Sequence, residues 1–156
     1  MRRSAIEQDK FEQALRSIFE KEIRFNEVLG LSVESLAAGY ALIRFAMHPH
    51  LVGHALHGRL HGGVIAAALD ATAGCAVMTA IADRHPHDTA EQAIARFARV
   101  GTIDLRVDFL RQGLGQSFAA SARVIRIGGR IASAQMELHN EEGLLLSTGT
   151  ASYIVS

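Results

Sequence analysis

The residues of this chain best placed to do chemistry are two glycines and one acid. They lie in Leu60-His61-Gly62-Gly63-Val64-Ile65-Ala66-Ala67-Ala68-Leu69-Asp70-Ala71, a stretch that stays apolar as far as Ile81. Side chains that are small or aliphatic on every side suit a helix buried all round. An ionised Asp in such surroundings is costly unless something satisfies or uses it, which makes Asp70 the anomaly to explain. Gly62 and Gly63 supply the complement. Amides at a helix start have no partner within the helix, lie beside a partial charge of roughly +0.5, and are open to a ligand where no side chain stands in the way. Aimed at a carbonyl oxygen they stabilise developing negative charge, and losing one such donor typically costs about 100- to 1,000-fold in rate. A carboxylate in an apolar site has a raised pKa and becomes a better base towards water, or attacks as a nucleophile itself. Together these groups describe acyl transfer to water, without the Gly-x-Ser-x-Gly elbow of serine hydrolases. From Gly63 to Asp70, however, is about 10 Å of helix at 1.5 Å per residue. One chain cannot bring both to the same carbonyl carbon. Two antiparallel copies of the helix across a two-fold axis can, which gives two composite sites per dimer.

Other residues compete for attention. Cys75 is the only cysteine; with no His or acid at nearby helical spacing it reads as a small core residue, not a nucleophile. Of the eight histidines, His48, His50, His54, His57 and His61 crowd before the helix. Their spacing is loop-like and no Cys or acid cluster completes a tetrahedral set, so no metal site is expected. His61 reads as an orienting hydrogen-bonder at the helix entrance. The structural alternative for Asp70 is an acid paired with a hydroxyl or with an arginine of a second chain.

The elements that must position these groups follow from pattern. At 156 residues, 49% hydrophobic and 21% charged, the chain fits one globular domain. Lys plus Arg equal Asp plus Glu at 16 each, and no basic patch interleaved with aromatics suggests nucleic acid. The stretch from Gly62 approaches membrane-spanning length but holds an acid, is rich in Ala and Gly and lacks aromatic belts, so no membrane span is expected. With no signal-peptide pattern after Met1-Arg2-Arg3 and a lone cysteine, the expected compartment is the cytoplasm. Phe11, Leu15, Ile18, Phe19 and Ile23 recur at helical spacing, predicting an amphipathic covering helix from Ile6 to about Val28, within an N-terminal segment 1–30. Strands are expected over Leu31 to Leu36 and Tyr40 to Met47, with a loop from His48 to Leu60. Thr89 and Gln92 match a capping box opening a short helix inside the inserted segment 83–100, which Gly101 ends. Four strands follow: Thr102 to Arg111, Gln116 to Ile127, Arg130 to His139 and Leu144 to Val155. Their short connections imply an antiparallel sheet, and one buried helix against it makes an α+β domain.

The order His61-Gly62-Gly63, Asp70 nine residues after the histidine, Gly101-Thr-Ile-Asp-Leu-Arg-Val-Asp-Phe-Leu-Arg111, Gly128-Gly129-Arg130 and His139-Asn-Glu-Glu-Gly143 resembles the hotdog-fold acyl-CoA thioesterases of the PaaI type. Within them it is most similar to the YigI-like branch that acts on medium- and long-chain substrates. The resemblance runs from about Leu31 to the C-terminus. It implies a long central helix wrapped by a curved antiparallel sheet, a homodimer or homotetramer, an acyl-CoA substrate, and no cofactor beyond the coenzyme A of that substrate. It makes Gly62 the oxyanion-hole amide, Gly63 the glycine that admits the thioester, and Asp70 the acid that activates water or attacks. Thr102 falls where relatives orient the water, although strict alternation would put it on the face of Asp104, opposite Ile103 and Leu105. The Asn that many relatives carry six or seven residues before the histidine is absent; His54 or Ala55 stands there, and His54 could donate the same hydrogen bond. Coenzyme A phosphates would meet basic side chains and turn amides, for which Arg111 and Gly129-Arg130 are the candidates. The reading from another class is a non-catalytic acyl-CoA sensor. It needs a partner-binding module, and the N-terminal helix is too short and too acidic to be a DNA reader.

Overall fold

The computed structural model describes residues 2–156. Ser4 accepts the Glu7 amide at 3.2 Å and opens helix α1 (Ala5–Ser17), which buries Phe11 and Leu15. The continuous helix expected to Val28 is broken. Ile18–Glu22 form a π-helical turn, Ile23 leaves helical geometry at ψ 96°, and α2 (Arg24–Leu29) ends at Gly30, whose φ of 70° is a left-handed C-cap. Asn26 explains where the broken ladder is repaired. Its buried side-chain amide donates to the Phe19 carbonyl at 3.1 Å, so the break costs no orphaned acceptor there.

Strands β1 (Ser32–Ala37) and β2 (Tyr40–Ala46) pair as a hairpin. The expected loop after them has structure of its own: a 3-10 turn at Pro49–Leu51 and a small hairpin of β3 (Val52–His54) and β4 (Arg59–Leu60). Gly53 allows it, since a Cβ there would lie 2.4 Å from His61 Cα. The chain is thus pressed against the start of the central helix, α3 (Gly62–Arg84). Then come α4 (Ala90–Ala95), opened by the full Thr89/Gln92 capping box, a 3-10 turn at Arg96–Arg99, and strands β5 (Gly101–Phe109), β6 (Ser117–Ile127), β7 (Ile131–Asn140) and β8 (Leu145–Ile154).

All six long strands form one antiparallel sheet in the order β1-β2-β6-β7-β8-β5. It wraps α3 in the hotdog arrangement. Alternate residues Ile43, Phe45, Phe118, Ala120, Ala134, Met136 and Leu138 are buried beneath it. Close approach is built in: a Cβ at Gly149 would meet Arg106 O at 3.1 Å and the Leu69 side chain at 3.5 Å. By length and composition α3 could cross a membrane, but 72% of its most apolar stretch is buried in the fold. The expectation that it is covered on every side holds only for Thr72 to Ala82. In its first half, Gly63, Ala66, Ala67, Asp70 and Ala71 form a stripe that the rest of the chain leaves partly open.

The two outer helices are tied together over one end of α3. The Glu7 carboxylate accepts the Ala90 amide at 2.8 Å, which with Lys10 holds its pKa below the usual carboxylate range. Arg3 donates to the carbonyls of Ala82, His85 and Asp88. The Phe19 and Phe97 rings meet edge to face at 5.7 Å.

Leu69 is fully buried where helix and sheet are closest. Leu69→Ala should lower the unfolding free energy by about 2–5 kcal/mol, measured by urea titration at fixed protein concentration.

Candidate active site

Asp70 is braced by two hydroxyls. Thr102 Oγ1 donates to Asp70 Oδ1 at 2.9 Å, and Tyr153 OH approaches the same oxygen at 2.8 Å and the Asp70 carbonyl at 2.9 Å. Hydroxyl partners of the kind the structural alternative needs are therefore present on this chain itself. Both engage Oδ1, while Oδ2 accepts no hydrogen bond from the described residues.

Thr102 reaches Asp70 because β5 is irregular. Thr102 pairs with Tyr153 and Asp104 with Ser152, so Ile103 is bulged out and the alternation shifts by one. The parity drawn from the sequence is corrected accordingly. Beyond the bulge Leu105, not Asp104, packs towards the core, and Asp104 accepts the Ser152 amide at 3.0 Å. Tyr153 was not among the residues singled out from sequence. The signal available was the alternation of β8, which turns Gly149, Ala151 and Tyr153 inward, together with the rule that a buried tyrosine hydroxyl finds a partner. Burial first, then the neighbouring Asp70 charge, pushes the Tyr153 phenol far above its ordinary pKa, so it remains a donor.

At the start of α3 the two glycines differ. His61 is the N-cap, and its Nδ1 accepts the Gly63 amide at 2.8 Å. The ring proton therefore sits on Nε2. A Cβ at Gly63 would stand 2.9 Å from Nδ1. Gly63 is thus needed by the cap, and its amide is not available to a ligand. The Gly62 N–H, by contrast, has no acceptor among the described residues. Beside it lies the Phe109 ring, 3.3 Å from where a Gly62 Cβ would be. Gly62 and Asp70 are eight residues apart on one helix, about 12 Å at 1.5 Å per residue.

A cavity of about 270 Å³ borders Asp70. Ala67, Ala71 and Gly74 of α3 form its floor, and Phe19, Phe25 and Phe97 are among its apolar walls, with Thr102 and Tyr153 beside the acid. The walls come from the N-terminal segment and from the segment before β5.

The expected coenzyme-binding residues do not converge. Arg111 is exposed and donates to the Leu145 carbonyl at 2.8 Å, at the start of β8. Gly129 and Arg130 are exposed in the β6–β7 turn, where the Arg130 carbonyl accepts the Val155 amide past the other end of β8. The two arginines are thus separated by about 30 Å at roughly 3.3 Å per residue, so in one protomer they cannot hold one phosphate. His54 is half-buried with its ring 4.6 Å from that of His57, and its Nδ1 is buried without a hydrogen-bond partner. Among the described residues no three His, Cys, Asp or Glu side chains converge as a ligand set.

Known proteins share the sequence pattern and the fold. The thioesterase superfamily profile matches residues 57–147. The chain is 41% identical over 147 residues to the medium/long-chain acyl-CoA thioesterase YigI of Escherichia coli K12, covering 92% of this chain and 95% of that protein. A crystal structure from Shewanella oneidensis, described as related to the thioesterase superfamily, superposes with a TM-score of 0.90 at 33% identity, covering 98% of this chain and 99% of that one. The Escherichia coli PaaI protein shares the fold at a TM-score of 0.75 and 16% identity over 96% of each chain.

Cys75 is buried in α3, and desolvation pushes its thiol up to about 12. In the native protein it should not react with an aromatic disulfide reagent at neutral pH. One thiol per chain should appear on unfolding, and Cys75→Ala should turn over substrate at the parent rate.

Proposed function

This chain belongs to the thioesterase superfamily, and from that membership we propose that it hydrolyses medium- to long-chain acyl-CoA thioesters to free acid and coenzyme A. The observation that carries the reading is one open face of α3. It presents an unspent Gly62 amide at its start and, two turns on, a hydroxyl-braced Asp70 at the mouth of an apolar cavity.

The thioester carbonyl oxygen accepts the Gly62 N–H, where the helix-start charge stabilises the oxyanion. His54, one residue after the Gly53 that packs on His61, offers a second donor through Nε2. His61 holds the entrance by capping Gly63. Asp70 either takes the proton of the attacking water or attacks the carbonyl carbon itself; in both routes the carbon–sulfur bond breaks and the coenzyme A sulfur leaves as thiolate to be protonated, and in the second route water then cleaves the mixed anhydride on Asp70 to give the free acid and restore the carboxylate. Thr102 orients the carboxylate, and in that position its oxygen can also accept from the water.

Gly62 and Asp70 serve one carbonyl only if they come from different protomers. Three features support a two-fold dimer: the open stripe on α3, the unpaired edge of β5, and exposed Ile103, Phe109 and Leu110 on or beside that edge, each more than half accessible. In such a dimer Arg111 of one protomer and Gly129-Arg130 of the other are the basic groups left for the coenzyme phosphates. The aromatic walls over Asp70 receive the acyl chain. Removing the N-terminal helix outright would take Phe11, Leu15 and Phe19 out of the core, so point changes in the wall test this better. Phe97→Ala should shift the optimum to longer chains across an acyl-CoA panel read by thiol release.

Asp70→Asn should lower kcat by about 100-fold or more. Gly62→Pro removes the amide at a position where proline suits the first helical turn and His61, at ψ 137°, already has the conformation required before proline, with the Phe109 ring, 3.3 Å from the added Cβ, giving way by a few tenths of an ångström. Mixed after unfolding and refolding, the two inactive variants should regain up to about a quarter of the parent activity, because half the dimers are mixed and each has one intact site. No regain would place both groups in separate or single-chain sites and end the composite model.

A further inference from the structure

We infer that Tyr153 is a positioning residue for Asp70 as well as a wall of the acyl cavity; the inference rests on the thioesterase reading of this site. The phenol is 2% exposed, and its hydroxyl lies within hydrogen-bond distance of two oxygens of the same residue, the Asp70 side chain at 2.8 Å and its backbone carbonyl at 2.9 Å. A hydroxyl has one proton. Donated to Oδ1, that proton fixes the rotation of the carboxylate against a ring held by the core, and the Asp70 carbonyl shares it only as the second branch of a bifurcated bond.

Thr102 donates to the same Oδ1 from the strand neighbouring β8. Two donors on one oxygen leave the other oxygen of the carboxylate to act, and they do so from different directions, one from the buried strand and one from the exposed edge. The edge donor is carried by β5, the last strand of the sheet, whereas Tyr153 is held by the core. Its ring also reaches the cavity floor: a Cβ on Gly74 would be 3.9 Å from the Tyr153 ring and 3.8 Å from the Phe19 ring. The hydroxyl therefore serves the acid while the ring serves the chain, and the two services are separable by removing one oxygen atom. The remaining residues of the same chain that line the cavity beside Asp70 carry no ionisable side chain, and the titrating groups a composite site adds, His54 and His61 of the other protomer, are the same in parent and variant.

The experiment is Tyr153→Phe, assayed over an acyl-CoA series and over pH, with Asp70→Asn alongside. The ring is kept, so KM and its dependence on chain length should stay within about twofold of the parent, while kcat falls about tenfold for every chain length. The acid limb of the kcat profile should move to higher pH, because a carboxylate that loses a donor is more easily protonated. Thr102→Val should move the limb in the same direction. An unchanged kcat, or a lower kcat with an unmoved acid limb, would overturn the inference, the second result showing a structural role only. Should Tyr153→Phe not fold, Thr102→Val in the parent decides through the same limb: if it does not move, hydroxyls do not tune this acid and the inference falls. Retained activity in Asp70→Asn would instead sink the thioesterase mechanism while leaving the hydrogen-bond geometry intact.

Discussion

The structure depends on how closely α3 can approach the sheet. A helix of 23 residues can be wrapped by six strands only if its surface is nearly smooth, and Ala, Gly and Thr provide that over most of its length. Gly149 on β8 and the alanines of β6 and β7 do the same from the other side. Packing at this separation leaves little room for solvent, so every polar group along α3 must be answered from the protein. Thr72 and Thr79 answer themselves by donating to the Ala68 and Ala76 carbonyls. Asp70 is answered by β5 and β8.

What the sequence made legible was the helix, the strands and the order of motifs. The reason is physical: a long apolar run broken by a single acid and four alternating segments parted by turns that each carry glycine leave few alternatives. The capping box at Thr89 and Gln92 is a local signal and formed as its spacing predicts. The failures were of other kinds. The break at Ile18–Glu22 cannot be read from periodicity, because Phe19 and Ile23 keep their apolar spacing through it, and what stabilises it is a tertiary contact from Asn26. The hairpin after Leu51 is only three and two residues long per strand, too short for a pattern.

At the site, Asp70 and the glycines announced themselves by being out of place, whereas their partners did not. Thr102 came only from the family resemblance, against an alternation that the bulge in β5 overrides, and Tyr153, which was missed, lies 83 residues from the acid it touches. Only the resemblance, and nothing in the local pattern, separated Gly62 from Gly63. Nothing in a Gly-Gly pair says which amide a neighbouring ring will take, and the assignment turned on the rotamer of His61.

That rotamer also bears on what leaves. Two adjacent free amides form a small cup that suits both oxygens of an anion at once. Because the histidine ring fills half of the cup, a single main-chain donor faces outward, which suits the one charged oxygen of the tetrahedral adduct in the proposed reaction. In the proposed reaction, a fatty acid just released, with its charge shared over a pair of oxygens, meets one main-chain donor at the helix start and not two, which leaves His54 as the further group to hold it back from departing.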